Sequence, residues 1–435
     1  MARAKLPLDG IRVLDTCVVW AGPYAAQLLS DWGAEVIHVE SIQRHVDMTR
    51  GMVGFKITKD FAATLGPLIG GFPNRDPKDT PQNRSGMFNS YHRNRLSCTM
   101  DLNSPKGVEI FKRLIEKSDI FIENNLTDTM KKHGIGYEAL KEIKPDIIMI
   151  SMPGFGNTGP FAYYRALGAH LENYSGHSML RGYRDTDPSV TTTTYHCDAS
   201  AGATLAFTAI MALHHRNRTG KGQWIDIGQI ETIIPQLGQA VMDYSMNSRV
   251  QETLGNRHTS AAPHECYQCK GDDRWLNISV FTDEQWQGLC RAMGNPEWTK
   301  DKQFAAALSR HQNQDELNKH MREWTIQHDH YELFHLLQKE GVPSGPVMDD
   351  DDCYSDLHLI ERGYFNWITH RDTGTFLHPG IAGKMSKMPN NIRRAAPCMG
   401  EHNEYVYKEV IGASDEEYDE LVREQHIGDT WLAFA

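Results

Sequence analysis

The sequence has no long apolar run and no excess of positive charge. None of its apolar stretches reaches the roughly 18 consecutive residues that span a bilayer. The first residues, MARAKLPLDG, lack the apolar core of a signal peptide. The net charge of −11 at pH 7 disfavours general nucleic-acid binding. We therefore expect a cytoplasmic protein that binds neither membrane nor nucleic acid.

Cysteine and histidine lack the spacing of metal ligands. The eight cysteines are scattered, and Cys266 and Cys269 form one C-x-x-C without the second pair that a zinc site needs. The 21 histidines include no H-E-x-x-H. We therefore expect reduced, packed thiols and no metal site.

The first strand lacks the glycine-rich turn of dinucleotide-binding folds. IRVLDTCVV predicts a strand, YAAQLLSDW a helix with Pro23 in its first turn, and AEVIHVE a second strand. This βαβ unit has no G-x-G-x-x-G, so it does not predict a nicotinamide site. A G-x-G-x-x-G at 154–159 runs directly into Pro160, and we interpret it as a flexible loop that faces a ligand.

Strands and helices alternate up to residue 153. LSCTMDL, DIFIENN and DIIMISMP predict further strands, so the fold class is α/β, with a parallel sheet in a Rossmann-like large domain. Residues 51–90 predict a surface excursion with little regular structure. Two short strands and charged helices after Pro263 predict a smaller α+β domain. The predicted parts are the large domain at 1–225, a linker helix at 226–261, the small domain at 262–355, and a return segment at 356–435 that packs on the large domain.

One carboxylate, Asp198, precedes a long apolar helix. From Ala201 to Leu213 almost every residue is small or aliphatic, which predicts a helix buried on all sides. Asp198 is then either an N-cap, worth about 1 kcal/mol, or an ionised nucleophile at the positive helix end. Its small neighbours leave room for a bulky group to approach.

Several motifs, in the same order, resemble the class III CoA-transferases over nearly the whole chain. This is the family of the formyl-CoA:oxalate and carnitine CoA-transferases. The resemblance implies that Asp198 is the nucleophile, that acyl-CoA and a free carboxylic acid are the substrates, and that no cofactor is tightly bound. It also implies two chains interlocked as a homodimer, with a heteromer of related subunits as the alternative. The matching segments are PLDGIRVLD, AGPYAAQLLSDWGAEVIHVE, DMTRG, RNRLSCTMDLNSPKG, PGFGNTGP, Asp198–Gly202, RNRTGKGQWIDI, GVPSGPV and RRAAPCMGEHNEYVY.

The resemblance further implies which residues serve the site. Gly156, with Gly154 and Gly159, belongs to a loop that we expect to move over the site and to offer N–H donors to oxyanions. Arg165 lies in the segment that leads from this loop towards Asp198. The residues expected to contact coenzyme A are Trp20, Ala21, Met100, Asp101, Leu102, Asn103, Asn124, Asn125, Lys132 and Arg165.

Two alternatives remain open. An acyl-CoA racemase of the same fold pairs an Asp at this segment with a His about thirty residues upstream, and His170 lies 28 residues before Asp198. Racemases, however, show a glycine run after that Asp, whereas this chain reads Asp-Ala-Ser-Ala-Gly. The other alternative is a non-catalytic subunit, against which Asp198 counts. Overall similarity favours succinyl-CoA as donor and a substituted succinate or another bulky acid as acceptor.

Overall fold

The protein consists of two compact units. One comprises Met1–Gly176, Thr192–Met246 and Glu361–Ala435, and the other comprises His177–Thr191 and Asn247–Ile360; we call them the large unit and the small unit. The structure is a computed structural model that describes residues 5–44, 48–51, 57–64, 66, 71–183, 185–187, 189–190, 195–389 and 392–432.

A six-stranded parallel sheet forms the centre of the large unit and confirms the α/β class. Its strands lie in the order β3-β2-β1-β4-β5-β6. The strand order reverses between β1 and β4, and in such sheets ligands bind at the carboxyl edge beside this point. Asn124, which follows β4, joins the loop after β1 there: its amide accepts from the N–H of Val18 and donates to the carbonyl of Val18, both at 2.8 Å. The strands are β1 (Arg12–Asp15), β2 (Glu35–Glu40), β3 (Leu96–Thr99), β4 (Ile120–Glu123), β5 (Ile148–Ser151) and β6 (Gln223–Asp226).

The described α-helices of both units, in chain order, are α1 (Ala21–Asp31), α2 (Lys59–Thr64), α3 (Pro81–Arg84), α4 (Gly86–Tyr91), α5 (Pro105–Glu116), α6 (Thr129–Lys132), α7 (Tyr137–Ile143), α8 (Gly168–Tyr174), α9 (His177–Leu180), α10 (His196–Thr219), α11 (Gly238–Asn247), α12 (Asp283–Ala292), α13 (Ala307–Gln312), α14 (Gln314–Thr325), α15 (His330–Lys339), α16 (Asp350–Ser355), α17 (Leu357–Glu361) and α18 (Asp415–Arg423). Short 3-10 turns lie at Met48–Arg50, Pro73–Arg75, Gln229–Thr232, Ile234–Leu237, Glu297–Lys300 and Lys302–Phe304, and a π-helical segment lies at Tyr405–Val410. The segment after β6 thus divides into two 3-10 turns and α11, where the sequence predicted one long linker helix. None of the described helices is long and apolar enough to cross a membrane.

Helix α10 packs closely against α1 and the sheet, but only on one side. Its buried stripe consists largely of small residues such as Ala201 and Gly202, which allow the close approach of α1. Larger side chains point the other way: Phe207 is 61% exposed and Met211 is 50% exposed. The prediction of burial on all sides was therefore wrong in this chain, because a helix at a sheet face needs only one apolar stripe to pack. The helix ends at Gly220, which adopts a left-handed conformation and whose N–H donates to the carbonyl of Arg216.

The described part of 51–90 is more ordered than the sequence predicted. Helices α3 and α4 lie here, and most of their side chains are buried. Arg50 extends into the same region, where it pairs with Glu40 of β2 and lies over the ring of Phe88. Polar composition suggested a surface loop, but the buried Arg50 that pairs with Glu40 also donates to the carbonyl of Gln82 and to Oδ1 of Asn83, which holds α3 against the sheet. Residues 52–56, 65 and 67–70 lie outside the described part.

The small unit has its own core. Three antiparallel strands, β7 (His264–Gln268), β8 (Trp275–Ser279) and β9 (Ser344–Val347), pack with α12 to α15. Cys266 lies in β7, Cys269 follows it, and all eight cysteines of the chain are free thiols. The end of the chain returns to the large unit with an antiparallel hairpin of β10 (Phe365–His370) and β11 (Gly374–Pro379).

Candidate active site

Asp198 lies inside the first turn of α10 rather than at its cap. The N-cap residue is Tyr195, and the helix begins at His196, so the interpretation of Asp198 as N-cap was wrong. Its side chain is only 6% exposed. The amino-terminal end of a helix carries a partial positive charge, which favours an ionised carboxylate at this position.

Gln229 fixes one oxygen of this carboxylate. It follows directly on the loop after β6, and its Nε2 donates to Oδ1 of Asp198 at 2.7 Å. The Gln229 backbone is itself held, since its N–H donates to the carbonyl of Pro153 at 3.0 Å and its carbonyl accepts from the thiol of Cys197 at 3.5 Å. The side chain is buried, so the hydrogen bond to Asp198 is shielded from water.

Helix α8 contacts the other side of the nucleophile turn. Glu172 accepts a hydrogen bond from the backbone N–H of Cys197 at 2.5 Å, which joins α8 to the start of α10. Gly168 lies directly against the carboxylate: a Cβ at this position would be 2.1 Å from Oδ2 of Asp198. Only glycine fits there, because any side chain would displace the carboxylate.

The electrostatic environment makes Asp198 a stronger base than an ordinary carboxylate. Its pKa is raised to about 6, chiefly by burial; the hydrogen bond from Gln229 lowers the pKa, and the negative charge of Glu172 contributes a smaller rise. The carboxylate is therefore ionised at neutral pH yet poorly hydrated. Burial also raises the pKa of the neighbouring Cys197 thiol to about 12, so that thiol stays protonated.

The glycine loop at 154–159 is tied to this site by hydrogen bonds. The carbonyl of Gly154 accepts from the N–H of Ile230, and the carbonyl of Gly156 accepts from the hydroxyl of Thr127. Gly156 has a φ of 82°, and a Cβ there would lie 3.6 Å from Cα of Gly228. The loop is therefore linked to Asp198 through Gln229, whose side chain bonds the carboxylate and whose backbone bonds Pro153 just before the loop. A change in the loop can thus alter the position of Asp198.

These contacts describe a carboxylate suited to nucleophilic chemistry. One oxygen is held by Gln229, the second lies beside a glycine, and the surroundings exclude most of the water. A dehydrated, ionised carboxylate can attack a carbonyl carbon, and a dry site protects the resulting acyl intermediate from hydrolysis.

Comparison with known families agrees with this chemistry. Residues 8–403 match the model of the CoA-transferase family III. The chain belongs to CoA-transferase family III. It is a CoA-transferase, an enzyme whose substrates are CoA thioesters and carboxylic acids.

Relatives and solved structures of the family cover nearly all of the chain. The chain is 31% identical to the succinyl-CoA–L-malate CoA-transferase beta subunit of Chloroflexus aurantiacus, over 96% of this chain and 97% of the relative. It is 30% identical to the succinyl-CoA:glutarate CoA-transferase of Mus musculus, over 97% and 91%. A crystal structure of a CaiB/BaiF family protein from Brucella suis superposes with a TM-score of 0.80 at 29% identity, over 93% of this chain and 100% of that chain.

The residues expected to contact CoA follow the carboxyl ends of the strands. Trp20 and Ala21 come after β1, Met100 to Asn103 after β3, and Asn124 and Asn125 after β4, so these groups share one edge of the sheet with Gln229. Lys132 at the end of α6 and Arg165 are exposed. The side chain of Met100 is buried in the apolar core, so the predicted contact of this residue with CoA would be made by its backbone.

Sequence analysis did not identify Gln229, Glu172 or Gly168. Gln229 carried a signal, because a polar residue just beyond a predicted strand of a parallel sheet lies at the edge where such folds bind ligands. The racemase alternative rests on His170. This residue is exposed, and its Nδ1 accepts from the N–H of Leu167 at 3.1 Å.

Proposed function

We propose that Asp198 is the nucleophile that carries CoA from succinyl-CoA to an acceptor acid. The observation that carries this proposal is the buried carboxylate with one oxygen held by Gln229 and a pKa raised to about 6. The succinyl donor is supported by the relatives, whose names specify succinyl-CoA with malate, citramalate or glutarate.

The reaction proceeds by four exchanges at Asp198. Its free oxygen attacks the thioester carbonyl, the carbon–sulfur bond breaks, and CoA leaves as a thiolate from a succinyl–aspartyl anhydride. The thiolate then attacks the aspartyl carbonyl and releases succinate, which leaves CoA bound to Asp198 as a thioester. The acceptor carboxylate attacks this thioester and expels the thiolate, and the thiolate finally attacks the acceptor carbonyl and regenerates Asp198.

The surrounding residues orient Asp198 and stabilise the charges that form. Gln229 fixes the rotation of the carboxylate, and Gly168 leaves space for Oδ2 to become bonded. The positive end of α10 lowers the energy of the oxyanion that develops at each attack. We propose that Gly156 and its loop act here as a cover that limits entry of water.

We also infer that the enzyme is a homodimer that works in the cytoplasm. Each chain has its own nucleophile, so no second kind of subunit is needed for chemistry. Some relatives are named as alpha or beta subunits and others as single enzymes, which leaves both arrangements within the family. The homodimer is supported by the exposed apolar side chains of Phe207 and Met211 on α10.

Isotope exchange without an acceptor tests this function. Labelled succinate should enter succinyl-CoA, because the covalent half-reaction is reversible. Asp198→Asn should abolish the exchange, whereas the matched control Asp272→Asn, in an exposed turn of the small unit, should retain it. Absence of exchange in the native enzyme would refute the proposal, and incorporation of solvent deuterium at Cα of an acyl-CoA would assign a racemase instead.

A further inference from the structure

An aromatic surface lies at the amino-terminal end of α10. It is formed by the rings of Trp20, Tyr91 and Tyr195, each of which is half-buried. The ring centroid of Trp20 is 5.3 Å from that of Tyr91 and 6.2 Å from that of Tyr195. We call these three rings the aromatic wall. Rings that pack on one another and remain partly exposed offer an apolar face to a ligand.

The aromatic wall lies beside the nucleophile. Tyr195 is the N-cap of α10 and precedes Asp198 by three residues. One turn after Asp198, on the same side of the helix, a Cβ at Gly202 would lie 2.6 Å from the carbonyl oxygen of Ala21. Trp20 directly precedes Ala21, so this close approach brings its ring to the level of the nucleophile. Three separate segments thus meet at the start of α10.

The aromatic wall is apolar and keeps a neutral phenol next to the carboxylate. Burial raises the pKa of Tyr91 to about 12, with smaller contributions from Tyr24 and from the charge of Asp198. The phenol therefore remains protonated at neutral pH, where Asp198 is ionised. A group that approaches Asp198 along the aromatic wall therefore contacts aromatic rings and neutral hydroxyl groups, and no second charged side chain of the wall.

We propose that the acceptor acid carries an aryl group that stacks on the aromatic wall while its carboxylate reaches Asp198. This inference rests on the proposed function and specifies which class of acid accepts CoA. Offset or edge-to-face contacts between rings are favourable, and burying a ring removes a large apolar area from water. A short polar acid leaves the aromatic wall exposed. The acids named for the relatives, malate, citramalate and glutarate, contain no ring.

Matched acceptors with and without a ring test the proposal. The donor is succinyl-CoA, and the acceptor pairs are 3-phenylpropionate with propionate and 2-phenylsuccinate with glutarate. A pocket that binds one additional methylene already discriminates by about tenfold, so we expect kcat/KM to be at least about tenfold higher for each pair's aryl member. Trp20→Ala should reduce this ratio towards one, and any effect of the variant on CoA binding cancels in the ratio because both members of a pair use the same donor. Trp367→Leu, a largely exposed tryptophan on β10, is the control and should keep the ratio.

The outcomes separate this inference from the proposed function. Equal kcat/KM for aryl and small acids, with succinate exchange intact, would overturn the aryl acceptor alone. A Trp20→Ala enzyme that keeps the ratio while its KM for succinyl-CoA rises equally with every acceptor would also overturn it and assign Trp20 to CoA contact alone. Loss of exchange and of transfer with all acids in the native enzyme would overturn the proposed function itself.

Discussion

The carboxylate of Asp198 is held in a position that costs the fold free energy. Its pKa is raised from 3.8 to about 6, chiefly by burial. Such a shift corresponds to about 3 kcal/mol against the folded state at pH 7, because each pKa unit is worth about 1.4 kcal/mol. The cost appears as the pH rises from about 4 to about 6 and stays constant above, since only the ionised form is disfavoured by burial. The buried negative charge of Asp198 lowers the stability of the fold, so its presence is explained by a role in catalysis.

Asp198→Asn should therefore stabilise the protein while it abolishes transfer. The neutral amide avoids the cost of burying a charge and still offers an oxygen to Gln229, so we expect a gain on the order of 1–3 kcal/mol at pH 7.5. Most of the gain should be lost at pH 4, because Asp198 is then protonated in the folded state and only partly ionised in the unfolded state. Urea unfolding of both proteins at pH 7.5 and pH 4 measures it. A variant less stable than the native enzyme at pH 7.5 contradicts this reading.

The pH dependence of transfer should follow the ionisation of Asp198. The carboxylate must be charged to attack, so kcat/KM for succinyl-CoA should fall about tenfold per pH unit below about pH 6. The hydrogen bond from Gln229 lowers the pKa, so Gln229→Leu should move the midpoint to higher pH. Gln236→Leu removes an exposed glutamine that donates to Ser200 and should leave the midpoint unchanged. A midpoint near 4, or one unmoved by Gln229→Leu, would argue against this assignment.

Among the elements, α8 and α10 meet so closely that one methyl group should disrupt the site. In Gly168→Ala the new Cβ would lie 2.1 Å from Oδ2 of Asp198, so the carboxylate must move. Displacement of a reacting atom by about 1 Å can cost on the order of a hundredfold in rate. We expect kcat/KM to fall at least tenfold with a near-normal melting temperature. Gly345→Ala, in open space on β9, is the control, and full activity in Gly168→Ala would show that Oδ2 is not the reacting oxygen.

The loop at Gly156 should control the competition between transfer and hydrolysis. Gly156→Ala places a side chain at a φ of 82°, a strain of roughly 1–2 kcal/mol, next to the segment that leads to Gln229. We expect normal folding and a larger share of succinyl-CoA lost to water, measured as free CoA released per CoA transferred. Gly412→Ala carries the same kind of strain in open space and should not change this ratio. An unchanged ratio in Gly156→Ala would show that the loop is only a connector.

Local patterns predicted the elements better than they predicted the contacts between them. Apolar runs ending in a carboxylate or amide marked β1, β2 and β4. The position of Asp198 was also predictable, since it stands alone before the long apolar helix. Its partners were much harder to identify: Gln229 had only its place beyond a strand as a signal and lies 31 residues away in the chain, and Gly168 lies 30 residues before Asp198. Side chains brought together by a sheet edge have no short-range sequence spacing, so only the fold shows which of them meet.

At the scale of the whole molecule, the exposed side of α10 supports the proposed association of two chains into a homodimer. Phe207, Ile210 and Met211 are all at least 45% exposed, a large apolar area for a chain that remains single. We expect sedimentation to show about 98 kDa, twice 49.3 kDa, down to nanomolar protein. Phe207→Glu should shift the mass towards the single chain, whereas Val422→Glu, on exposed α18, should not. An active, folded 49.3 kDa species on dilution would refute an obligate dimer.

The intact mass of the enzyme after incubation with succinyl-CoA tests the central claim most directly. The account predicts an added mass equal to CoA minus water, localised by peptide mapping to Asp198 and lost when an acceptor acid is supplied. Asp198→Asn should show no added mass, and Asp272→Asn should behave as the native enzyme does. Transfer without any covalent CoA on the native enzyme, or an adduct that persists in Asp198→Asn, would contradict the claim that Asp198 is the nucleophile.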